Sequence, residues 1–160
     1  MASRNLLLQD INADPVERSS AMVRIGVDKL THFKPVIADL LRHQHFILRG
    51  EAIKVLLGKW NLPEYVEEGV QMLRHDLEWS TRADAASALS WFAFATGKQT
   101  DLIARELVRS LKEDENRSVH EEAYSGLLRI LTPERKQSTI PDDFNRERDV
   151  DWELLKPYLP

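Results

Sequence analysis

The sequence contains no cysteine among its 160 residues. Without cysteine the chain can form neither a disulfide framework nor a thiolate metal site, and a thiol nucleophile is excluded. No apolar run approaches the 18 residues that a membrane span requires. The apolar run at Leu6–Leu8 is also too short for the core of a signal peptide. We therefore expect a cytoplasmic protein without disulfide bonds.

The chain also lacks an excess of positive charge. It carries 22 Lys and Arg residues against 26 Asp and Glu residues, which gives a formal net charge of −4. Proteins that bind nucleic acid through its phosphates usually present a basic surface, so this balance argues against nucleic acid as the main partner. The length is typical of one domain with a real core, and a hydrophobic content of 42% is ordinary for a soluble protein.

Recognisable catalytic and cofactor motifs are missing as well. His120 opens a stretch that begins like a zinc-protease helix, but Tyr124 stands where the second histidine is required. Gly97-Lys98 lacks the earlier glycine and the following Ser or Thr of a phosphate-binding loop. No dinucleotide-type glycine cluster occurs. We therefore predict a protein that is not an enzyme, with no metal site, no cofactor and no small-molecule substrate.

What the sequence does contain is helical periodicity, and no segment alternates with period two for long enough to predict a strand. After a leader at 1–14, we expect seven helices within residues 15–131. Asp14-Pro15 predicts the start of the first helix, which should run to about Leu30, and Gly97 predicts the end of the fifth. Residues 132–160 should form a polar, extended or loosely ordered segment and a short apolar helix around Trp152. We interpret that helix as a cap on the array; the alternative is a detachable peptide that docks on a partner.

One short pattern occurs three times, most clearly in the stretch Thr81–Leu89. Ala52, Ala85 and Ala123 occupy equivalent places at intervals of 33 and 38 residues. In each copy an apolar or small residue follows the alanine by three positions and a leucine follows by four. These spacings place all three residues on one helix face, where the small alanine lets neighbouring helices approach closely. Recurrence at this period is typical of helical repeat arrays.

The pattern resembles a HEAT repeat of the short bacterial, lyase-associated kind, over about residues 34–131. Asp76 precedes Arg82 by six residues, as the family pattern requires. The other copies depart from it, because position 120 is His after Asp114, and position 43 is His before Arg49. The resemblance implies an all-α fold, a right-handed α-solenoid of about three HEAT-like helix pairs with a C-terminal capping segment. It also implies that Asp76 and Arg82 are structural residues that join successive turns.

Three acids, Glu51, Asp84 and Glu122, each stand directly before an anchoring alanine. Because stacked helices lie about 8–10 Å apart, we expect these acids to form a row along one side of the array. A solvated polar face and an acidic binding groove are both compatible with this row, and paired catalytic carboxylates are disfavoured because nothing indicates a closed pocket. The residues expected to contact a partner are Glu51, Lys54, Asp84, Ser87, Trp91, Glu122, Ser125 and Arg129.

Four tryptophans are candidates for anchoring contacts, since aromatic side chains often dominate binding interfaces. Trp91 is the best candidate because its helical spacing places it on the polar face with Asp84. Trp60 and Trp79 lie at helix ends, so we expect them to pack between repeats. Trp152 is expected to anchor the cap.

These observations favour a non-enzymatic protein-binding module that engages or inhibits a partner with a basic surface. One such case is an immunity-type inhibitor that covers a bacterial toxin domain. The family resemblance also leaves open a bilin-lyase-like accessory protein. A nucleic-acid-binding HEAT-like protein is the other alternative, with Arg42, Arg49, Lys54 and Lys59 as its basic patch.

Overall fold

The computed structural model describes residues 7–134 and 140–160, and every regular element within these ranges is helical. The prediction of an all-α protein is confirmed for this part of the chain. None of the helices described is long and apolar enough to cross a membrane. The helices are α1 (Pro15–Val27), α2 (Lys34–Leu40), α3 (Phe46–Ile53), α4 (Val66–His75), α5 (Trp79–Thr96), α6 (Thr100–Glu113), α7 (Arg117–Leu131), α8 (Arg146–Asp149) and α9 (Trp152–Leu155). Short 3₁₀ turns cover Thr31–Phe33, Pro63–Tyr65 and Lys156–Tyr158.

Most helix boundaries follow local signals in the sequence. The Asp14 carboxylate accepts the backbone N–H of Val16 at 2.8 Å, and Pro15 opens α1, as predicted. α5 ends at Gly97, whose φ of 65° lies in the left-handed region that glycine adopts without strain. α1 stops before its predicted end, because the chain turns through Lys29 with a φ of 51°.

α3 continues directly into a π-helical stretch, Lys54–Lys59. There the backbone N–H of Trp60 donates to the carbonyl of Val55, five residues earlier, at 3.0 Å. A π turn holds more residues than an α turn, so side chains beyond it are rotated around the helix axis. Val55, Leu56 and Leu57 are all fully buried, a run that an amphipathic α-helix would not bury.

The long helices pack in two sets around one hydrophobic core. α1, α3, α5 and α7 contact one another in that order, and α2, α4 and α6 each pack on the helix that follows them. A single cluster of buried apolar side chains extends through both sets. Ala52, Ala85 and Ala123 are fully buried within it, so their small side chains lie where helices meet.

Two arginine–aspartate ion pairs connect successive helices of this arrangement. Arg49 donates Nε and Nη2 to the Asp76 carboxylate at 2.8 and 2.7 Å, and Arg82 donates Nε and Nη2 to Asp114 at 2.6 and 2.9 Å. Each arginine also donates Nη1 to the two carbonyls that lie six and five residues before it. Such bidentate contacts are strong and geometrically specific. We call these two contacts the inner pairs.

α1 carries a partial fourth copy of the repeated pattern, which the sequence prediction missed. Arg24 stands in place of the apolar or small residue, and Ile25 stands in place of the leucine. The spacing of Arg18, Ala21 and Ile25 is the same as that of Arg49, Ala52 and Leu56, and all three residues of α1 are buried. Arg18 donates Nε and Nη2 to the carbonyl of Leu8 at 3.3 and 3.2 Å. α1 therefore shares a buried alanine with α3, α5 and α7. We expected helical repeats over residues 15–131, but the family resemblance covered only about residues 34–131.

Histidines stand at the two ends of this series. His43 occupies the aspartate position, and like the two aspartates it accepts the backbone N–H two residues on, here through Nδ1 at 3.0 Å. Its Nε2 lies 3.5 Å from Arg18 Nη1 but carries the proton of the neutral ring, so it cannot accept from the arginine. His120 occupies the arginine position, with Nε2 2.5 Å from the carbonyl of Asp114 and 3.3 Å from Arg146 Nη1. We call Arg18–His43 and Arg146–His120 the terminal contacts.

The C-terminal segment lies against α7. The Phe144 ring stacks on Tyr124 with centroids 5.9 Å apart, and the Tyr124 hydroxyl accepts the backbone N–H of Asp151 at 3.0 Å. Trp152 Nε1 donates to the carbonyl of Arg146 at 3.2 Å. These contacts seat the segment on the last long helix, which is where a cap would lie.

Two predictions for the ends of the chain are wrong in part. The polar segment before the last helix is not loosely ordered throughout, because Asn145 caps the helical turn Arg146–Asp149. Residues 135–139 of that segment lie outside the described residues. The apolar residues of the leader also predict a short helical turn that packs against the first repeat through Leu6, Leu7, Leu8 and Ile11. Leu8 is fully buried, whereas Ile11 is 83% exposed. Leu6 lies outside the described residues.

Candidate partner-binding face

The predicted partner-contacting residues lie on α3, α5 and α7 and on the π-helical stretch that extends α3. They form two rows that cross these helices. The acid row contains Glu51, Asp84 and Glu122. The tryptophan row, seven residues further along each helix, contains Gly58, Trp91 and Arg129. Between the rows lie Lys54, Ser87 and Ser125, all of which are half-buried.

Two carboxylates of the acid row are paired with one lysine of the same face. Lys54 Nζ lies 2.9 Å from Glu51 Oε2 and 3.0 Å from Asp84 Oδ1, so one cation bridges two carboxylates. Burial alone would lower the pKa of Lys54, but the charges of Glu51 and Asp84 outweigh it and raise that pKa. Burial raises the pKa of Asp84 although Lys54 opposes the shift. The prediction of an exposed acidic row is wrong for Glu51, which is only 6% exposed.

The position of Asp84 depends on Gly50. A Cβ atom at Gly50 would lie 2.1 Å from Asp84 Oδ2, far inside van der Waals contact. The absence of a side chain at position 50 therefore lets the Asp84 carboxylate lie against α3 and reach Lys54. Replacing Gly50 by alanine would displace this carboxylate.

Trp91 is the most prominent aromatic residue of the face, with 40% of its surface exposed. The Arg129 guanidinium lies 4.2 Å from the centre of the indole ring and also donates to the Ser90 hydroxyl. Phe94 meets the indole edge-on with centroids 5.8 Å apart. Burial lowers the pKa of Arg129, and the charge of Glu122 opposes this shift. These contacts hold the indole in one orientation, and its α7 side is covered by Arg129.

The other side of Trp91 borders a cleft of about 280 Å³ between the π-helical stretch and α5. Because Gly58 has no side chain and Ala88 has a small one, the bottom of the cleft is the backbone of two packed helices. Its size is that of one large side chain, below the usual range for drug-sized ligands. The cleft is lined by Lys54, Gly58, Lys59, Ser87, Ala88 and Trp91.

Four residues of this face were not among those expected to contact a protein partner: Gly58, Lys59, Ser90 and Phe94. Lys59 was considered only in the basic patch for nucleic acid. It lines the cleft, while its Cδ lies 3.0 Å from the position that a Cβ atom at Gly26 of α1 would occupy, and no sequence signal indicated the π-helical stretch. Phe94 was predictable, since it lies three residues after Trp91 and therefore on the same side of α5.

The remaining predictions have mixed outcomes. Glu122 and Ser125 are half-buried on α7. Trp60 packs between helices as expected, because its Nε1 donates to the carbonyl of Gly26 at 3.1 Å. Trp79 does not, since it is 46% exposed.

Half of the basic patch considered for nucleic acid is engaged in ion pairs. Arg49 is paired with Asp76, and Lys54 bridges Glu51 and Asp84. Among the four cations of that patch, only Arg42 and Lys59 lie outside such pairs in the described part of the chain. Two separate cations supply little of the phosphate neutralisation that tight binding requires.

A second groove, of about 440 Å³, lies between α4 and α6. Three of its charged side chains are paired with each other: Arg74 Nε donates to Glu106 at 2.7 Å, and Arg109 lies 3.3 Å from the same carboxylate. Within residues 7–134 and 140–160, no group of three or more His, Asp or Glu side chains could hold a metal ion.

Comparison with protein-family models, with curated proteins and with solved structures gives no significant match. The function of the face must therefore be inferred from its own residues. It presents a fixed, half-exposed indole, an open cleft and cations, which suit binding.

Proposed function

We propose that this protein is a non-enzymatic binding module that holds a partner protein on the tryptophan row. The observation that carries the proposal is the indole of Trp91, half-exposed and fixed by Arg129 and Phe94 beside an open cleft. A tryptophan held in one orientation loses little conformational entropy on binding, which is why such residues dominate many interfaces. An immunity-type inhibitor is the special case in which the partner is a toxin domain.

We further propose that the helices form a right-handed α-solenoid with HEAT-like pairs α2–α3, α4–α5 and α6–α7. Three observations support this arrangement: the recurring pattern, the two inner pairs, and the order of contacts through α1, α3, α5 and α7. In such arrays the helices carrying the face form one continuous surface, so a partner can contact several units at once.

The experiment that tests the binding function places a photo-crosslinking amino acid at Ser87, which lines the cleft. The labelled protein is irradiated in a lysate of the source organism, and crosslinked proteins are identified by mass spectrometry. We expect one discrete partner, which is then purified for titration against unlabelled protein.

In that titration Trp91→Ala should weaken binding by about 2 kcal/mol, or roughly 30-fold, because a buried interface anchor is lost. Trp79→Ala is the matched control, since Trp79 is similarly exposed but lies outside the face. Circular dichroism should show unchanged helix content for both variants. Equal affinity of Trp91→Ala and the unsubstituted protein would show that the tryptophan row is not the binding surface.

A further inference from the structure

The tryptophan row also indicates the charge of the segment that it binds. Lys59 lines the cleft on one side of Trp91, and Arg129 covers the other side. Neither cation forms an ion pair with a carboxylate in the described part of the chain. A ligand seated on Trp91 would therefore lie near two cations that have no carboxylate within ion-pair distance, although Arg129 stacks on Trp91 and donates to Ser90.

The negative charges of the face lie elsewhere. The acid row is seven residues away along each helix, which is roughly 10 Å at the α-helical rise. Two of its three carboxylates are already bridged by Lys54. The face as a whole balances Lys54, Lys59 and Arg129 against three acids, so the net charge of −4 arises from other surfaces.

Arg129 has N–H donors that are not used within the protein and can bind a ligand. Its Nη1 donates to the Ser90 hydroxyl, and no other hydrogen bond of this guanidinium occurs among the described residues. A guanidinium has five N–H donors in a planar fork that matches a carboxylate. Its partial burial beside the indole strengthens such a contact, because less water competes for the donors.

We propose that the cleft beside Trp91 receives a large apolar side chain of an acidic peptide segment, whose carboxylates pair with Arg129 and Lys59. This inference rests on the proposed function and specifies its partner. It replaces the basic partner expected from the sequence, because Glu51 and Asp84 are ion-paired with Lys54 and none of the three acids is fully exposed. The apolar side chain supplies the contact with Trp91, and the carboxylates select against basic segments.

Three synthetic, end-capped nonapeptides test the proposal. The first has a central leucine flanked by Asp and Glu, the second has lysines in place of the acids, and the third has serine in place of the leucine. Each is titrated into ¹⁵N-labelled protein while the Gly58 amide and the Trp91 indole N–H are followed. The Trp91 signal is assigned from its loss in Trp91→Phe.

We expect the acidic leucine peptide to shift both signals and to bind at least about tenfold more tightly than the other two. Arg129→Gln and Lys59→Gln should each weaken it several-fold and reduce its dependence on salt. Lys112→Gln, which removes an exposed lysine of α6 outside the face, should change neither property.

Tighter or equal binding of the lysine peptide, or no shift with the acidic peptide, would overturn the inference. If the acidic peptide fails while the crosslinked partner still requires Trp91, the tryptophan row binds a partner of different chemistry and the proposed function stands. If the partner does not require Trp91, the proposed function fails independently of the peptides.

Discussion

The inner pairs and the terminal contacts occupy equivalent positions in successive helices but differ in chemistry. In the inner pairs an aspartate accepts two donors from the arginine of a preceding long helix, α3 or α5, and also a backbone N–H. At the ends a histidine replaces one member of each pair. Imidazole has only two nitrogens, and in His43 one of them already accepts a backbone N–H. The difference shows that the series is tightly joined in its centre and only weakly joined at its ends.

The largest effect should come from breaking an inner pair. Arg82→Ala leaves the Asp114 carboxylate largely buried without its cation, because the side chains of the pair are only 17% and 8% exposed. We expect the free energy of unfolding to fall by about 3 kcal/mol, measured by urea denaturation. Arg105→Ala on exposed α6 surface should stay within about 0.5 kcal/mol of the unsubstituted protein. Similar losses for both variants would mean that the inner pair contributes little.

Breaking the N-terminal contact should have a smaller effect. Arg18→Ala removes two hydrogen bonds to the carbonyl of Leu8 but breaks no ion pair. We expect a loss of about 2 kcal/mol and faster hydrogen exchange confined to residues 7–14. Arg24→Ala, an exposed position of the same helix, is the control. A loss as large as that of Arg82→Ala would contradict the distinction between centre and ends.

Converting a terminal contact into an inner pair should stabilise the protein. In His43→Asp the new carboxylate can accept Arg18 as Asp76 accepts Arg49, so we expect a gain of about 1 kcal/mol at pH 7. Unchanged or lower stability would mean that α1 is not equivalent to the later helices.

The same substitution should change the pH dependence of stability. Burial, followed by the charge of Arg18, lowers the pKa of His43 below its ordinary 6.5. The unfolded chain therefore binds this proton more readily. The contribution of His43 is complete above pH 6.5 and is lost as pH falls from 6.5 through the lower folded pKa. Denaturation midpoints between pH 5 and 8 should show that His43→Asp removes this component, whereas His75→Gln, at an exposed histidine, keeps it.

The smallest effect is expected at the C-terminal contact. His120→Arg introduces the arginine that the inner pairs have at this position. Arg146 already donates to the nearby carbonyls of Leu111 and Lys112. Two guanidinium groups would then lie close together with no new carboxylate between them. We expect a loss of about 0.5 kcal/mol in urea denaturation, which His120→Arg/Arg146→Leu should recover. A stabilising effect of His120→Arg alone would show that a carboxylate is within reach.

The helices were predictable because their signals are local. Asp14 and Pro15 start α1, Gly97 ends α5, and the repeated alanines identify the buried side of three helices. The fourth copy at Arg18 and Ala21 carries the same spacing and could have been found. It was missed because Arg24 and Ile25 stand where the other copies have an apolar or small residue and a leucine.

The candidate face was only partly predictable. Helical spacing correctly placed Asp84 and Trp91 on one side of α5. Spacing does not show which charges pair across helices, so the bridge from Lys54 to Glu51 and Asp84 was not foreseen. The position of Lys59 depends on a change of helix type that local residue preferences do not specify.

The π-helical stretch has a consequence for how the chain tolerates changes in length. A turn closed by a hydrogen bond to the fifth residue back holds one residue more than a turn closed to the fourth. The stretch Lys54–Lys59 is therefore equivalent to a regular helix with a single-residue insertion. Removing Gly58 would let α3 continue as an α-helix, and it would rotate the following residues around the helix axis relative to Trp91. A length change of one amino acid would thus alter the lining of the cleft, to which Gly58 itself belongs.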